Sequence, residues 1–200
     1  MIQFILVCHG ESESGTLTER GALQVKATTD HINEEFDLWQ ICGCVTSPFA
    51  IDTAQKIYEY LIHGDPPIVP RTSDMLREYA LSSKISTPMA WKSDDTWRDF
   101  SFRVRRCIDD FENQHRMLMT HGCTDDKYVL VYGHPIIFST LVTHVATQRE
   151  YFPESVGAIA IKLTNCSITT IKYEDRKWSV LGIGNVNHLR AGESGAYGLI

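Results

Sequence analysis

Residues 2–7 (Ile-Gln-Phe-Ile-Leu-Val) and 128–132 (Tyr-Val-Leu-Val-Tyr) are short, almost unbroken runs of β-favouring side chains. Runs of this kind are expected of strands covered on both faces, as in a parallel sheet. Each stops at a polar turn that carries a histidine. Between them the spacing becomes helical: Ala54, Ile57, Tyr58, Leu61 and Ile62 recur at three- and four-residue steps, as do Trp97, Phe100, Val104, Ile108 and Phe111. Each set puts one apolar stripe on a helix. Ser47-Pro48 reads as an N-cap with proline in the first helical position, directly after a short strand at 43–46. His134-Pro135 makes the same junction and leads into Ile137, Leu141 and Val145 on one face.

Beyond about residue 157 the pattern changes to three strands, at 158–163, 167–173 and 177–181, joined by turns at Asn165 and at Glu174-Asp175-Arg176. The fold expected is α/β: a three-layer sandwich with a mostly parallel central sheet and an antiparallel C-terminal edge. Residues 1–183 read as one domain. The stretch 184–200 reads as a tail, with loose order expected from the glycine-rich segment starting at Gly182. The polar stretch 80–95 reads as a long loop of the kind that often closes over a site.

Composition narrows the function classes. The 200 residues are 43% hydrophobic and 22% charged, as in ordinary globular chains. With 19 Lys+Arg against 25 Asp+Glu the net charge is −6, which argues against nucleic-acid binding driven by phosphate contacts. An anionic substrate would need a local positive site. Six scattered cysteines form no disulfide framework, and Cys42-Gly-Cys44 lacks the spacing of a metal or redox pair. No apolar run approaches a membrane span and no signal-peptide pattern is present, so a cytoplasmic protein is expected.

Ligands of open α/β sheets bind beyond the carboxyl ends of the strands. His9 and His134 both fall there. Histidine can act as nucleophile, base or metal ligand near neutral pH, so the pair is a candidate reaction centre.

Phe4-Ile-Leu-Val-Cys-His9-Gly10-Glu11 resembles the Arg-His-Gly-Glu strand-end motif of the histidine phosphatase superfamily, the phosphoglycerate mutase-like fold. Further segments resemble that family in the family's order: Leu17-Thr-Glu-Arg-Gly21, Ser47-Pro-Phe with Thr53-Ala54, Leu76-Arg-Glu78, Val129-Leu-Val-Tyr-Gly-His134, Asn165-Cys-Ser-Ile168 and His188-Leu189. The resemblance implies a metal-independent phosphohydrolase with no cofactor. In it His9 attacks phosphorus and becomes phosphohistidine, Glu78 protonates the leaving oxygen and His134 stabilises the transferring group. Gly10, Glu11, Ser47 and Arg77 are the implied substrate-binding residues. The implied partner is a phosphorylated small molecule or phosphoprotein.

Three departures weaken the phosphate site that the resemblance implies. Cys8 stands where the family has arginine, Gly15 where it often has asparagine, and Ile51 where it has a second arginine. The stretch from Ser47 to Thr53 is also about two residues short. Charge-assisted hydrogen bonds are worth about 1.5–3 kcal/mol each, so two missing arginines amount to several powers of ten in phosphate recognition. Arg20, Arg71, Arg77 and Arg103 are candidate replacements. Two readings stay open: a weak or altered phosphohydrolase, and a degenerate pseudophosphatase that binds without turnover. Cys8 as nucleophile is disfavoured, because Ser14 occupies the place where a cysteine phosphatase loop carries arginine. A Cys8/His9/His134 metal site lacks supporting spacing. The departures and the short chain also argue against a mutase.

Overall fold

The computed structural model describes residues 1–13, 15–61, 70–77, 97–120, 126–147 and 161–189. In chain order the strands are β1 (Ile2–Cys8), β2 (Ser12–Glu13), β3 (Thr16–Leu17), β4 (Ile41–Thr46), β5 (Arg71–Thr72), β6 (Lys127–Gly133), β7 (Ile168–Glu174) and β8 (Lys177–Asn185). The helices are α1 (Glu19–Glu35), α2 (Ile51–Tyr60), α3 (Trp97–Thr120) and α4 (Pro135–Thr147). Among the described residues six strands form one sheet in the order β5-β4-β6-β1-β7-β8. The first four run parallel, and β7 and β8 add an antiparallel edge. This is the α/β sandwich the hydrophobic pattern predicts.

Alternation along β1 sorts its side chains between two layers. Ile2, Phe4, Leu6 and Cys8 share a buried cluster with Phe100, Val104, Ile108 and Phe111 of α3 and with Ile137 and Leu141 of α4. Ile5 and Val7 face the other way, into a cluster with Val25 and Ile32 of α1 and Ala54 and Ile57 of α2. Covering both faces explains why β1 is apolar at nearly every position. Burying each such side chain contributes about 1.5–3 kcal/mol.

Local chemistry sets the element ends. The Thr18 side chain caps α1 by accepting the Gly21 N–H, and Pro135 opens α4, where its missing N–H is harmless. Asp175 and Arg176, both at positive φ (50° and 61°), make the tight β7–β8 turn.

The helix after Ser47 departs from the sequence reading. Ser47 Oγ accepts the Phe49 N–H at 3.3 Å, and a turn occupies 48–50, so α2 starts only at Ile51 with no side-chain cap. The serine folds the chain back on itself before the helix can begin. Residues 161–163 are not in a strand, while 158–160 lie outside the described residues. Strand β8 runs past Gly182 and Gly184 to Asn185, paired with β7, and Leu189 packs against the α1/α2 layer. The expected loose order therefore does not hold over 182–189. Residues 190–200 and the 80–95 loop lie outside the described residues.

Candidate active site

The register of the central strands builds the site. Cys8 at the end of β1 pairs with Gly133 at the end of parallel β6, so the next residues, His9 and His134, leave the sheet side by side. Their ring centroids are 4.7 Å apart with planes at 73°. The His9 N–H donates to the Gly133 carbonyl at 3.0 Å. One strand further, β4 ends at Thr46 opposite Tyr132, and the Ser47 N–H donates to the Tyr132 carbonyl at 2.8 Å. Ser47 Oγ lies 3.3 Å from His134 Nε2. Three adjacent parallel strands thus deliver His9, His134 and Ser47 to one rim.

The hydrogen bond to His9 selects its tautomer. Nδ1 lies 2.8 Å from the Gly10 carbonyl oxygen, which can only accept, so the proton sits on Nδ1 and the neutral ring presents its lone pair at Nε2. Burial pushes the His9 pKa below its ordinary value, partly opposed by that carbonyl. His134 is held well below 6.5, first by burial and then by the neighbouring His9. Both rings are neutral at pH 7. A pair poised this way combines a nucleophilic nitrogen with an adjacent imidazole able to hydrogen-bond an oxyanion.

The loop after His9 is held by groups the sequence did not single out for that role. The Gly10 N–H donates to Thr53 Oγ1 on α2 at 3.0 Å, and the Glu11 N–H to Gln24 Oε1 on α1 at 2.9 Å. The Glu11 carboxylate accepts from Thr18 Oγ1 at 3.0 Å and from Arg20 at 3.1 Å. In this arrangement it braces the loop against the first turn of α1. Thr53 was visible within the Thr-Ala motif; Gln24 carried no signal beyond being a polar residue on an amphipathic helix.

Arg77 follows a short 3₁₀ turn (Asp74–Leu76) beyond β5, and its carbonyl accepts from Arg103 at 2.7 Å. Its Nε is buried without a hydrogen-bond partner among the described residues. Glu78 lies outside the described residues.

The departures from the family pattern have structural counterparts. Cys8 is fully buried among the apolar residues facing α3 and α4, where it is poorly placed to attack a dissolved phosphoester. Gly15 sits at φ 86° in the turn joining β2 and β3, a conformation glycine adopts without strain. Ile51 is the first residue of α2. Among the described residues no three His, Cys, Asp or Glu side chains converge on a metal position. Burial pushes the thiols of Cys44, Cys107 and Cys166 up to about 12, far from thiolate chemistry. A bulge takes exposed Cys42 out of register with Cys44, which is buried. Among the described residues no helix is long and apolar enough to cross a membrane.

Solved structures of the same fold are known. A phosphoserine phosphatase variant from Entamoeba histolytica in complex with phosphoserine superposes with a TM-score of 0.67 at 18% identity, over 95% of this chain and 100% of that one. The mycobacterial glucosyl-3-phosphoglycerate phosphatase matches with a TM-score of 0.65 at 19% identity, over 91% and 98%. The phosphoglycerate mutase from Bacillus anthracis matches with a TM-score of 0.66 at 16% identity, over 94% of both chains. The chain therefore has the phosphoglycerate mutase-like fold that these solved structures share. No family model matches the sequence, and no curated protein does.

Proposed function

We propose that this protein is a metal-independent phosphomonoesterase acting through phosphohistidine at His9, on a phosphorylated small molecule in the cytosol. The observation that carries the reading is the His9–His134 pair, with the His9 Nδ1 proton on the Gly10 carbonyl, which makes Nε2 the basic nitrogen of the ring. The solved phosphatases of like fold support it at the level of architecture.

In the first step His9 Nε2 bonds to phosphorus as the bond to the leaving oxygen breaks, and the Glu78 carboxyl delivers its proton to that oxygen. In the second, water attacks phosphorus and gives a proton back to the Glu78 carboxylate. The phosphorus–nitrogen bond breaks and its electron pair returns to Nε2. Splitting the displacement in two lowers each barrier. A ring N–H of neutral His134 binds an equatorial phosphoryl oxygen, with Ser47 holding that ring. Gly10 and Glu11 shape the loop beneath the phosphate, and Arg77 supplies positive charge in place of the arginines absent at Cys8 and Ile51. Catalysis of this kind rests on positioning and charge stabilisation, so those absences lower the rate without removing the chemistry.

A second reading, a pseudophosphatase that binds a phosphorylated molecule or phosphoprotein without turnover, draws on a specific observation. The place of the family's arginine next to the nucleophile is filled by a buried thiol. Hydrolysis of a generic aryl phosphate by wild type, His9→Ala and Cys8→Arg separates the two. Turnover by wild type that His9→Ala abolishes supports the esterase. A wild type without turnover that gains it in Cys8→Arg supports the degenerate reading.

A further inference from the structure

A second histidine cluster stands behind the nucleophile loop. His188 Nε2 lies 3.1 Å from the Cys166 carbonyl oxygen and 3.1 Å from Thr28 Oγ1. The carbonyl can only accept, and Thr28 gives its own hydroxyl proton to the Gln24 carbonyl at 2.8 Å. His188 therefore carries its proton on Nε2 and shares it between the two oxygens. Its Nδ1 is buried without a hydrogen-bond partner among the described residues, and its ring stacks on His31 with centroids 5.0 Å apart and planes at 10°.

Cys166 is the residue this contact holds. It stands at φ 54°, in the left-handed region that costs a side-chain-bearing residue about 1–2 kcal/mol. Such a conformation persists only where the surroundings impose it. The Cys166 N–H points to the Cys8 and His9 carbonyls at 3.2 and 3.3 Å, and the neighbouring Ser167 carbonyl accepts the Cys8 N–H at 3.1 Å. The Cys166 N–H thus grips the backbone of His9 while the Cys166 carbonyl, in the next peptide, is held by His188. Thr28 ties the same ring to α1 one turn from Gln24, whose side chain holds Glu11.

We infer that His188 is a positioning residue. By binding the Cys166 carbonyl it keeps Cys166 left-handed, and through the Cys166 N–H it fixes the peptide that carries the His9 imidazole. The inference rests on reading His9 as the nucleophile.

The test compares wild type, His188→Leu, which keeps bulk but loses the donor, and His188→Gln, which restores an N–H. Two quantities are read in the full chain: kcat and KM on an aryl phosphate, and the titration of the His9 ring by NMR, which needs no turnover. Misplacing a reacting group by 1 Å can cost about 100-fold, so His188→Leu is expected to lower kcat about 10- to 100-fold with KM changed less than about threefold. The His9 titration moves up toward 6.5 as its ring leaves the burial that lowers it, and His188→Gln recovers most of both effects. Glycine holds the left-handed region without strain, so adding Cys166→Gly to His188→Leu is expected to return the His9 titration to its wild-type position. That double variant decides the question if the single one does not fold. Equal His9 titrations in wild type and His188→Leu, or equal impairment in the Leu and Gln variants, would overturn the inference, as would a double variant whose His9 titrates near 6.5. A wild type without turnover overturns the proposed function and leaves the NMR test of positioning intact.

Discussion

Replacing Gly21 by alanine tests how the fold supports the site. Gly21 lies in the first turn of α1, directly under the Glu11 backbone. A Cβ added there would stand 2.9 Å from the Glu11 carbonyl carbon and closer still to its oxygen. Carbon atoms settle at about 3.5–4.0 Å and the carbonyl oxygen stands nearer than its carbon, so the Glu11 peptide must retreat by about 1 Å or more. Backbone has no rotamer with which to escape. The retreat stretches the bonds from Thr18 N–H to the Glu11 carbonyl and from Glu11 N–H to Gln24. Overpacking costs about 1–3 kcal/mol, and two weakened hydrogen bonds about 0.5–1.5 kcal/mol each. Alanine returns at most about 1 kcal/mol of helix propensity. The net is a loss of about 1–6 kcal/mol, which for a chain of this size lowers Tm by about 2–24 °C. The same displacement drags the Gly10 carbonyl that orients His9, so kcat on an aryl phosphate falls as well. Calorimetry and steady-state kinetics on Gly21→Ala read both effects. A Tm equal to or above wild type would refute the packing argument.

Further expectations follow from the same geometry. Truncating Phe4 to alanine removes a ring stacked on Phe111 at 4.2 Å and costs about 3–5 kcal/mol in a denaturant titration. Because His9 and His134 are neutral when folded and held below 6.5, the unfolded chain takes up protons first as pH falls. Their contribution to stability is complete above pH 6.5 and is lost below it as pH descends through the folded pKa values, which melting curves at stepped pH would show. The acid limb of kcat/KM is expected below pH 6.5 for the same reason, and a limb above it would contradict a neutral His9 nucleophile. Glu78→Gln is expected to slow an alkyl phosphate about 100- to 10,000-fold and an aryl phosphate, with its better leaving group, much less.

The parts of this molecule legible in the sequence are those set by neighbours along the chain. Runs at 2–7 and 128–132 announced the central strands, and the histidine after each announced the rim, because strand ends and site residues are contiguous. Trp97 to Phe111 showed α3 through its apolar stripe. What the sequence did not carry is contact between distant segments. Nothing near Ser47 distinguished a helix cap from a turn, since both use the same serine oxygen on a nearby N–H. The brace from Glu11 to Arg20 and Gln24 depends on where α1 lands, and the grip of His188 on Cys166 on where the turn after β8 meets the turn before β7. Cys8 was legible as a departure, but its burial against α3 and α4 came only from the fold.

In the proposed mechanism His9 takes the phosphoryl group. The most direct measurement is to mix the full chain with an aryl phosphate, quench in alkali within milliseconds to seconds, and map the modified peptide by mass spectrometry. An acid-labile phosphoryl group is expected on His9 in wild type, absent in His9→Ala and longer-lived in Glu78→Gln. Phosphate release by wild type with no phosphoryl group on His9 at any quench time would contradict it.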